Sequence, residues 1–231
     1  MSPQGSTVSD VMAHEEILAR TDFFAHATPQ ALRPIAESGS EIHLIRGDIL
    51  FNEGDLPEAL FLVLEGRIAI ALAKPVDKRE SVVSLMESGD LFGEMGMLDG
   101  GARSAMARAL EPTTVLSIPY VHVLEMFDAD PTLLWNVTRL LAQRIRSTDE
   151  ALADSVFLDV TGRTAKRLLE LADGTDEFTL PVTQEELAGM VGASRERVNK
   201  AISSFIRLGW LEQNERSYHI IQRDRLELRS R

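Results

Sequence analysis

Between Glu41 and Glu125 the apolar residues come in short runs, and glycine turns separate them. Ile42 and Leu44 alternate before Arg46-Gly47-Asp48, Ile49-Leu50-Phe51 precedes Glu53-Gly54-Asp55, and the dense run Ala59 to Leu64 stops at Glu65-Gly66. Arg67 to Ala73 alternates again, and Pro75 to Glu80 is a polar loop. Ser81 to Met86 reads as a strand ahead of Gly89-Asp90, and Thr113 to Ile118 as another. Runs of this length with a period of two are strands. Glycines at their corners relieve the steric limits of sharp turns. The pattern predicts an antiparallel barrel or jelly roll.

Helices flank this region. A polar arm leads into a helix around Val11 to Arg20. Thr28-Pro29 starts another, with Thr28 as cap, Pro29 at the first helical position, Leu32, Ile35 and Ala36 inward, and Gly39 at its end. Tyr120 to Phe127 is a short helix closed by Asp128-Ala129-Asp130-Pro131, and a long one runs from about Pro131 to Val156. Its Leu134, Val137, Leu141, Ile145, Leu152 and Val156, with polar Thr148 filling a gap, make a seam. A single seam is most simply a contact between two copies; the alternative is packing on the chain's own barrel. Phe157 to Arg163 ends that helix and starts the next, Thr164 to Ala172 has one apolar face, and Gly174 to Pro181 is a turn and short strand.

Charge divides the chain. The 231 residues suffice for one large or two small domains with real cores and carry a net charge of −12. Residues 157–231 hold 12 basic and 12 acidic side chains, so residues 1–156 carry the whole deficit. From Ser194 onward 9 basic residues face 5 acidic ones. The acidic part is a poor partner for DNA and the basic end a suitable one. There is no cysteine, which removes disulfides, thiolate metal sites, cysteine-ligated clusters and thiol catalysis. No apolar run approaches the roughly 18 residues of a membrane span. Met1 to Asp10 lacks a basic region followed by an apolar stretch. These features fit a cytoplasmic protein that does not engage a membrane.

Asp90 to Ala109 departs from the strand pattern. Gly93 permits a close backbone approach, Glu94 to Leu98 are helix formers, and Asp99-Gly100-Gly101 returns the chain to Arg103-Ser104. The first turn of a helix offers unpaired N–H groups and a positive dipole end to a phosphate. Arg103 would add charge and Ser104 a hydroxyl donor. Glu94 cannot bind a phosphate; its carboxylate needs a donor, and a sugar hydroxyl is one.

Thr183 with Glu186 forms a capping box for a helix carrying Leu187, Ala188 and Val191 inward, and Gly192-Ala193 is a tight turn. Ser194 caps a second helix, Arg195 to Leu208, which Gly209 stops. At about 100° per residue, Arg195, Glu196, Asn199 and Lys200 share one face, with Val198, Ala201 and Phe205 opposite. Two short helices with a glycine turn are either a plain hairpin or a helix-turn-helix whose second helix enters the major groove. Arg reads guanine bidentately, Glu accepts from cytosine, and Lys donates to guanine or phosphate. Thr183 and Gln184, at a helix N-terminus, are placed to hold a phosphate. Trp210-Leu211 and Tyr218 to Ile221 read as a wing hairpin.

Phe92-Gly93-Glu94, the short apolar helix and Arg103-Ser104-Ala105 resemble the phosphate-binding cassette of cyclic-nucleotide-binding domains. Gly-Ala-Ser-Arg-Glu-Arg-Val-Asn-Lys, residues 192–200, resembles the recognition segment of CRP–FNR-type transcription regulators. Phe157 to Arg163 looks like the hinge of the cyclic AMP receptor branch. The resemblance covers nearly the whole chain. It implies an α+β architecture: an arm and antiparallel β-roll (a jelly-roll cyclic-nucleotide-binding domain) over residues 1–130, a long dimerisation helix over 131–156, and a winged helix-turn-helix over 157–231.

The resemblance also implies a homodimer, a palindromic double-stranded DNA operator, RNA polymerase as a further partner, and cyclic AMP as effector, without metal, haem or iron–sulfur cluster. Carried over by residue, Gly93 gives a backbone contact and Glu94 takes the ribose 2′-hydroxyl. Met95 belongs to the same ligand set, Arg103 and Ser104 hold the cyclic phosphate, and Thr148 and Asp149 meet the base. Arg195, Glu196 and Lys200 match base-reading positions, with Thr183, Gln184, Ser194 and Asn199 completing the DNA-binding set.

Three positions depart from the family. Asp149 stands where a neutral Ser or Asn is frequent, and its carboxylate accepts from adenine's amino group or equally from guanine N1–H and its amino group, leaving cyclic GMP as runner-up. Lys200 replaces a frequent Arg and loses a bidentate contact. The loop Asp99 to Ala102 is short. The residues fit other classes less well. A haem sensor needs axial ligands, and His14, His26, His43, His122 and His219 are scattered. Glu94 and Asp99 form no acid/base pair with a nucleophile, so no enzyme is expected. A ligand-independent regulator with a vestigial pocket sits poorly with an intact Arg103-Ser104.

Overall fold

The computed structural model describes residues 8–73 and 80–231. The polar arm before Val8 and all of the expected polar loop but Glu80 lie outside the described residues. The chain divides into two compact units, Met1–Leu72 with Ser84–Ile145, and Ala73–Val83 with Arg146–Arg231.

The first unit opens with α1 (Val8–Ala19) and α2 (Pro29–Ser38). The Thr28 hydroxyl accepts from Ala31 N at 3.3 Å, so the expected cap and the proline at the first helical position fall as read. The strands are β1 (Ser40–Leu44), β2 (Ile49–Phe51), β3 (Ala59–Glu65), β4 (Ile68–Ala73), β5 (Glu80–Met86), β6 (Leu91–Phe92), β7 (Met106–Ala109) and β8 (Thr113–Pro119). They form two four-stranded sheets, ordered β1-β8-β3-β6 and β2-β7-β4-β5. Leu44, Phe61, Val63, Phe92 and Val115 of one sheet share a core with Ile68, Ala107 and Ala109 of the other, which makes the unit a β-roll. Gly66, with φ +86°, turns β3 into β4 where a Cβ would lie 2.5 Å from the Pro112 carbonyl oxygen.

Two strands extend the expected set. β6 has two residues, paired as Phe61↔Phe92 and Leu62↔Leu91, and β7 pairs Ile68↔Ala109 and Ile70↔Ala107. Both lie inside the Asp90–Ala109 stretch. Met-Ala-Arg-Ala carries little strand propensity of its own, so its partners determine it.

Helices cover the roll's second core. Leu18, Phe23, Phe24, Leu32 and Ile35 pack with Leu60, Leu62, Leu116 and Ile118, and with Val123 and Phe127 of α4 (Tyr120–Ala129). The long helix begins later than expected. Pro131–Leu133 is a 3-10 turn capped by Asp130, and α5 runs Leu134–Phe157. Its apolar stripe is not one seam. Leu133, Val137, Leu140 and Leu141 pack on the roll, whereas Ile145, Leu152 and Val156 are exposed by 62%, 63% and 68%. The alternative of packing on the chain's own barrel holds for the first part of the stripe, and the rest of it is exposed.

The second unit contains α6 (Val160–Ala172), β9 (Glu177–Thr179), α7 (Gln184–Val191), α8 (Arg195–Arg207), β10 (Leu211–Asn214), β11 (Ser217–Ile220) and α9 (Arg223–Arg229). Asp159 caps α6 through Gly162 N at 2.8 Å. The three short strands form an antiparallel wing sheet ordered β10-β11-β9. α9 has no counterpart in the sequence reading, since its seven residues carry one buried apolar side chain, Leu226, and no stripe. It packs on α6, and the Arg229 guanidinium reaches both carboxylate oxygens of Asp159.

Candidate functional site

The cassette is built where β6 ends. Gly93 has φ +84°, and a Cβ there would stand 2.7 Å from Arg103 Nη1. Arg103 is held first through its backbone: its N–H donates to Asp55 O at 2.9 Å, and its carbonyl accepts from Gly54 N at 2.8 Å. Its side chain then turns inward. Nη1 donates to Gly93 O at 2.8 Å and to the Tyr120 hydroxyl at 3.1 Å, and Nη2 donates to Ala59 O at 2.8 Å. The guanidinium carbon lies 4.3 Å from the Phe51 ring centre and 5.3 Å from that of Phe61. Burial lowers the Arg103 pKa, with Tyr120, Glu94 and Asp55 opposing it; a guanidinium remains charged regardless. Tyr120 opens α4 and donates its hydroxyl to Gly93 O at 2.5 Å. Burial raises its pKa, and Arg103 opposes that rise.

Glu94 caps α3 (Met95–Asp99) by position, without a side-chain cap bond, and its carboxylate is buried. The donor already present is not a sugar hydroxyl. Arg144, on α5, donates Nη1 to Glu94 Oε1 and Nη2 to Leu91 O at 3.0 Å. Glu94 Oε2 is buried with no hydrogen-bond partner among the described residues. A buried carboxylate oxygen without a donor is unfavourable, and one hydroxyl would satisfy it. Sequence reading missed both Arg144 and Tyr120. The signal for Arg144 is its place on the roll-facing side of α5, near Val137 and Leu140, which the apolar pattern alone does not reveal.

The first unit therefore brings Gly93, Glu94 and Arg103 together. Met95 and Ser104 are exposed, with Ser104 Oγ 3.7 Å from Met95 Sδ. Thr148 and Asp149 belong to the second unit and are exposed on α5.

In the second unit Thr183 and Glu186 close the expected capping box: Thr183 N donates to Glu186 Oε2 at 2.7 Å, and Glu186 N to Thr183 Oγ1 at 3.2 Å. Gly192, φ +68°, ends α7, and Ser194 Oγ accepts from Arg197 N at 3.4 Å to start α8. Val198, Ala201, Ile202 and Phe205 are buried. Ser194, Arg195, Glu196 and Lys200 are exposed, and Asn199 is half-buried. Gln184 is the exception on this surface. Its amide donates to the Tyr218 hydroxyl on β11 at 2.8 Å, which turns it toward the wing.

Among the described residues no group of three His, Asp or Glu is arranged to hold a metal ion. No described helix is long and apolar enough to cross a membrane.

A nucleotide-type anion cassette on a β-roll, joined in one chain to a winged helix-turn-helix, defines a class of DNA-binding regulator. Comparison with known proteins agrees. Residues 41–130 match the cyclic nucleotide-binding domain and residues 162–229 the Crp-like helix-turn-helix domain. The CRP-like cAMP-activated global transcriptional regulator of Mycobacterium tuberculosis (strain ATCC 25618 / H37Rv) is 35% identical over 224 residues, covering 94% of this chain and 100% of that protein. The chain belongs to the CRP–FNR family of transcription regulators.

Solved structures share its fold. FixK2 from Bradyrhizobium japonicum aligns with a TM-score of 0.76 at 19% identity, covering 84% of this chain and 98% of its own. The c-di-GMP responsive global regulator CLP of Xanthomonas campestris aligns with a TM-score of 0.71 at 23% identity, covering 84% and 99%.

Proposed function

We propose that this regulator is a homodimer whose affinity for a palindromic DNA operator is raised by cyclic AMP bound at the Gly93–Ser104 cassette. The observation that carries the reading is the pairing of opposite needs in one place. Among the described residues, Arg103 offers a positive guanidinium with two N–H groups that none of them engages, and Glu94 offers a buried carboxylate oxygen without a donor. A ribose 3′,5′-cyclic phosphate supplies an anion for the first and a hydroxyl for the second. In this reading Ser104 adds a donor to the phosphate, Gly93 and Met95 border the ligand, and Thr148 and Asp149 contact the base.

The exposed apolar stripe of α5 joins two copies, so that two α8 helices meet successive major grooves roughly 34 Å apart. Arg195, Glu196 and Lys200 read base edges there. Ser194, Asn199, Thr183 and Gln184 contribute polar contacts to the same face, and Gln184 must leave Tyr218 to do so. The nucleotide shifts the equilibrium only by its preference for the DNA-competent state. RNA polymerase is the partner that would convert operator occupancy into a transcriptional effect, and the cytoplasm is where all three meet. The reaction chemistry of an enzyme has no part in this account.

A second effector class has a specific observation behind it. The Asp149 carboxylate suits guanine as well as adenine, and CLP of Xanthomonas campestris, which has a similar fold, is described as c-di-GMP responsive. The test is fluorescence anisotropy on a duplex selected from a random pool, with and without cyclic AMP. Affinity that rises with cyclic AMP supports the switch; equal affinity in both conditions removes it and leaves a DNA-binding dimer.

A further inference from the structure

We infer that Tyr120 is the positioning residue of the anion site, the group that holds Arg103 ready for a phosphate. This rests on the cassette reading above. A guanidinium has five N–H donors. Arg103 Nη1 gives its two to Gly93 O and the Tyr120 hydroxyl, and Nη2 gives one to Ala59 O. Nε–H and the second Nη2–H remain, and two donors on one guanidinium are what two phosphate oxygens take. The clamp therefore occupies part of the guanidinium and leaves the part an anion needs.

Two of the three acceptors in the clamp are backbone carbonyls. Tyr120 is the side chain among them, and its hydroxyl has two duties: it accepts from Arg103 Nη1 at 3.1 Å and donates to Gly93 O at 2.5 Å. One group thus fixes both the arginine and the carbonyl that precedes Glu94. Tyr120 is itself well anchored. Its N–H donates to Glu58 O at 3.0 Å, and the preceding Pro119 pairs with Ala59, whose carbonyl is the third acceptor. The ring stays in place when the hydroxyl is removed, so Tyr120→Phe isolates the polar contact. Without it, Arg103 loses orientation before the ligand arrives and must be ordered on binding, which weakens affinity.

The experiment is calorimetric titration of the full-length protein with cyclic AMP for wild type, Tyr120→Phe, Arg103→Lys and the double variant. A residue acting through Arg103 gives a loss of about tenfold in the wild-type background and less than about twofold beside Arg103→Lys. Equal losses in the two backgrounds, or no loss in either, overturn the inference. If the wild type binds no cyclic nucleotide, the cassette reading fails, and a ligand-independent arm still decides Tyr120. Side-chain ¹⁵N spectra report rotation of the Arg103 guanidinium about Nε–Cζ. Slow rotation in the wild type and fast rotation in Tyr120→Phe support the assignment; the same rate in both contradicts it.

Discussion

Arg144, ten residues into the long helix, donates into the buried carboxylate of Glu94 and leaves one of its two oxygens open. The pair ties α5 to the cassette. Removing the arginine strands a buried charge, which costs about 3–5 kcal/mol when both partners are fully buried. Arg144 is 37% exposed, so water screens part of that loss. Arg144→Ala is predicted to lower unfolding free energy in urea by roughly 1–3 kcal/mol. Adding Glu94→Gln is predicted to restore part of it, because a neutral amide no longer needs the cation.

Gly93→Ala should damage the site more than the fold. The new methyl falls 2.7 Å from Arg103 Nη1 at a backbone φ of +84°. Arg103 must move to admit it, and the clamp on Gly93 O moves too. Cyclic AMP affinity is predicted to fall at least about tenfold, with a stability loss of order 1–3 kcal/mol for the backbone strain. Titration and urea melts on the same samples separate the two effects.

Asp159 links the cap of α6 to α9. Its pKa is lowered, first by the backbone N–H of Gly162, with the Arg229 guanidinium adding to it. A carboxylate with a depressed folded-state pKa stabilises the protein above its unfolded value, about 3.9. That contribution is lost as pH falls through the folded value. Asp159→Ala is predicted to cost about 1 kcal/mol at pH 7, the usual worth of a cap. The side chain is 63% exposed, so its ion pair with Arg229 adds little. Urea melts at pH 7 and pH 3 should show the gap between wild type and variant narrowing at the lower pH.

Local rules made much of the architecture legible. Residue type and spacing mark Thr28, Thr183 with Glu186, and Ser194 as helix caps, and Thr28, Thr183 and Ser194 each accept the expected backbone N–H. The runs from Ile42 to Met86 read as strands because their apolar residues alternate or fill a few successive positions. What escaped depends on tertiary placement. β7, Met-Ala-Arg-Ala, is a strand because of its neighbours. The stripe on α5 divides between Val137 on the roll and Val156 in solvent because the helix outruns the core it packs against. In the candidate site, Gly93, Glu94 and Arg103 lie within one short stretch of sequence. Tyr120 and Arg144 come from two helices, and no spacing rule connects them to it.

Asp149 carries the expectation about the base. It is exposed on α5, and a carboxylate accepts from adenine's amino group or from guanine N1–H and its amino group alike. Asp149→Ser is predicted to weaken cyclic GMP more than cyclic AMP, by a factor of about ten in their ratio, since guanine loses two acceptor contacts and adenine one. Competition titrations with the two nucleotides read that ratio directly.

The central claim is that Arg103 and Glu94 form a cyclic-nucleotide site. Calorimetric titration with cyclic AMP and cyclic GMP, on wild type and Arg103→Ala side by side, tests it most directly. The account predicts one-to-one binding of cyclic AMP per chain, weaker binding of cyclic GMP, and loss of both in the variant. Undiminished binding in Arg103→Ala, or binding of neither nucleotide by the wild type, would contradict it.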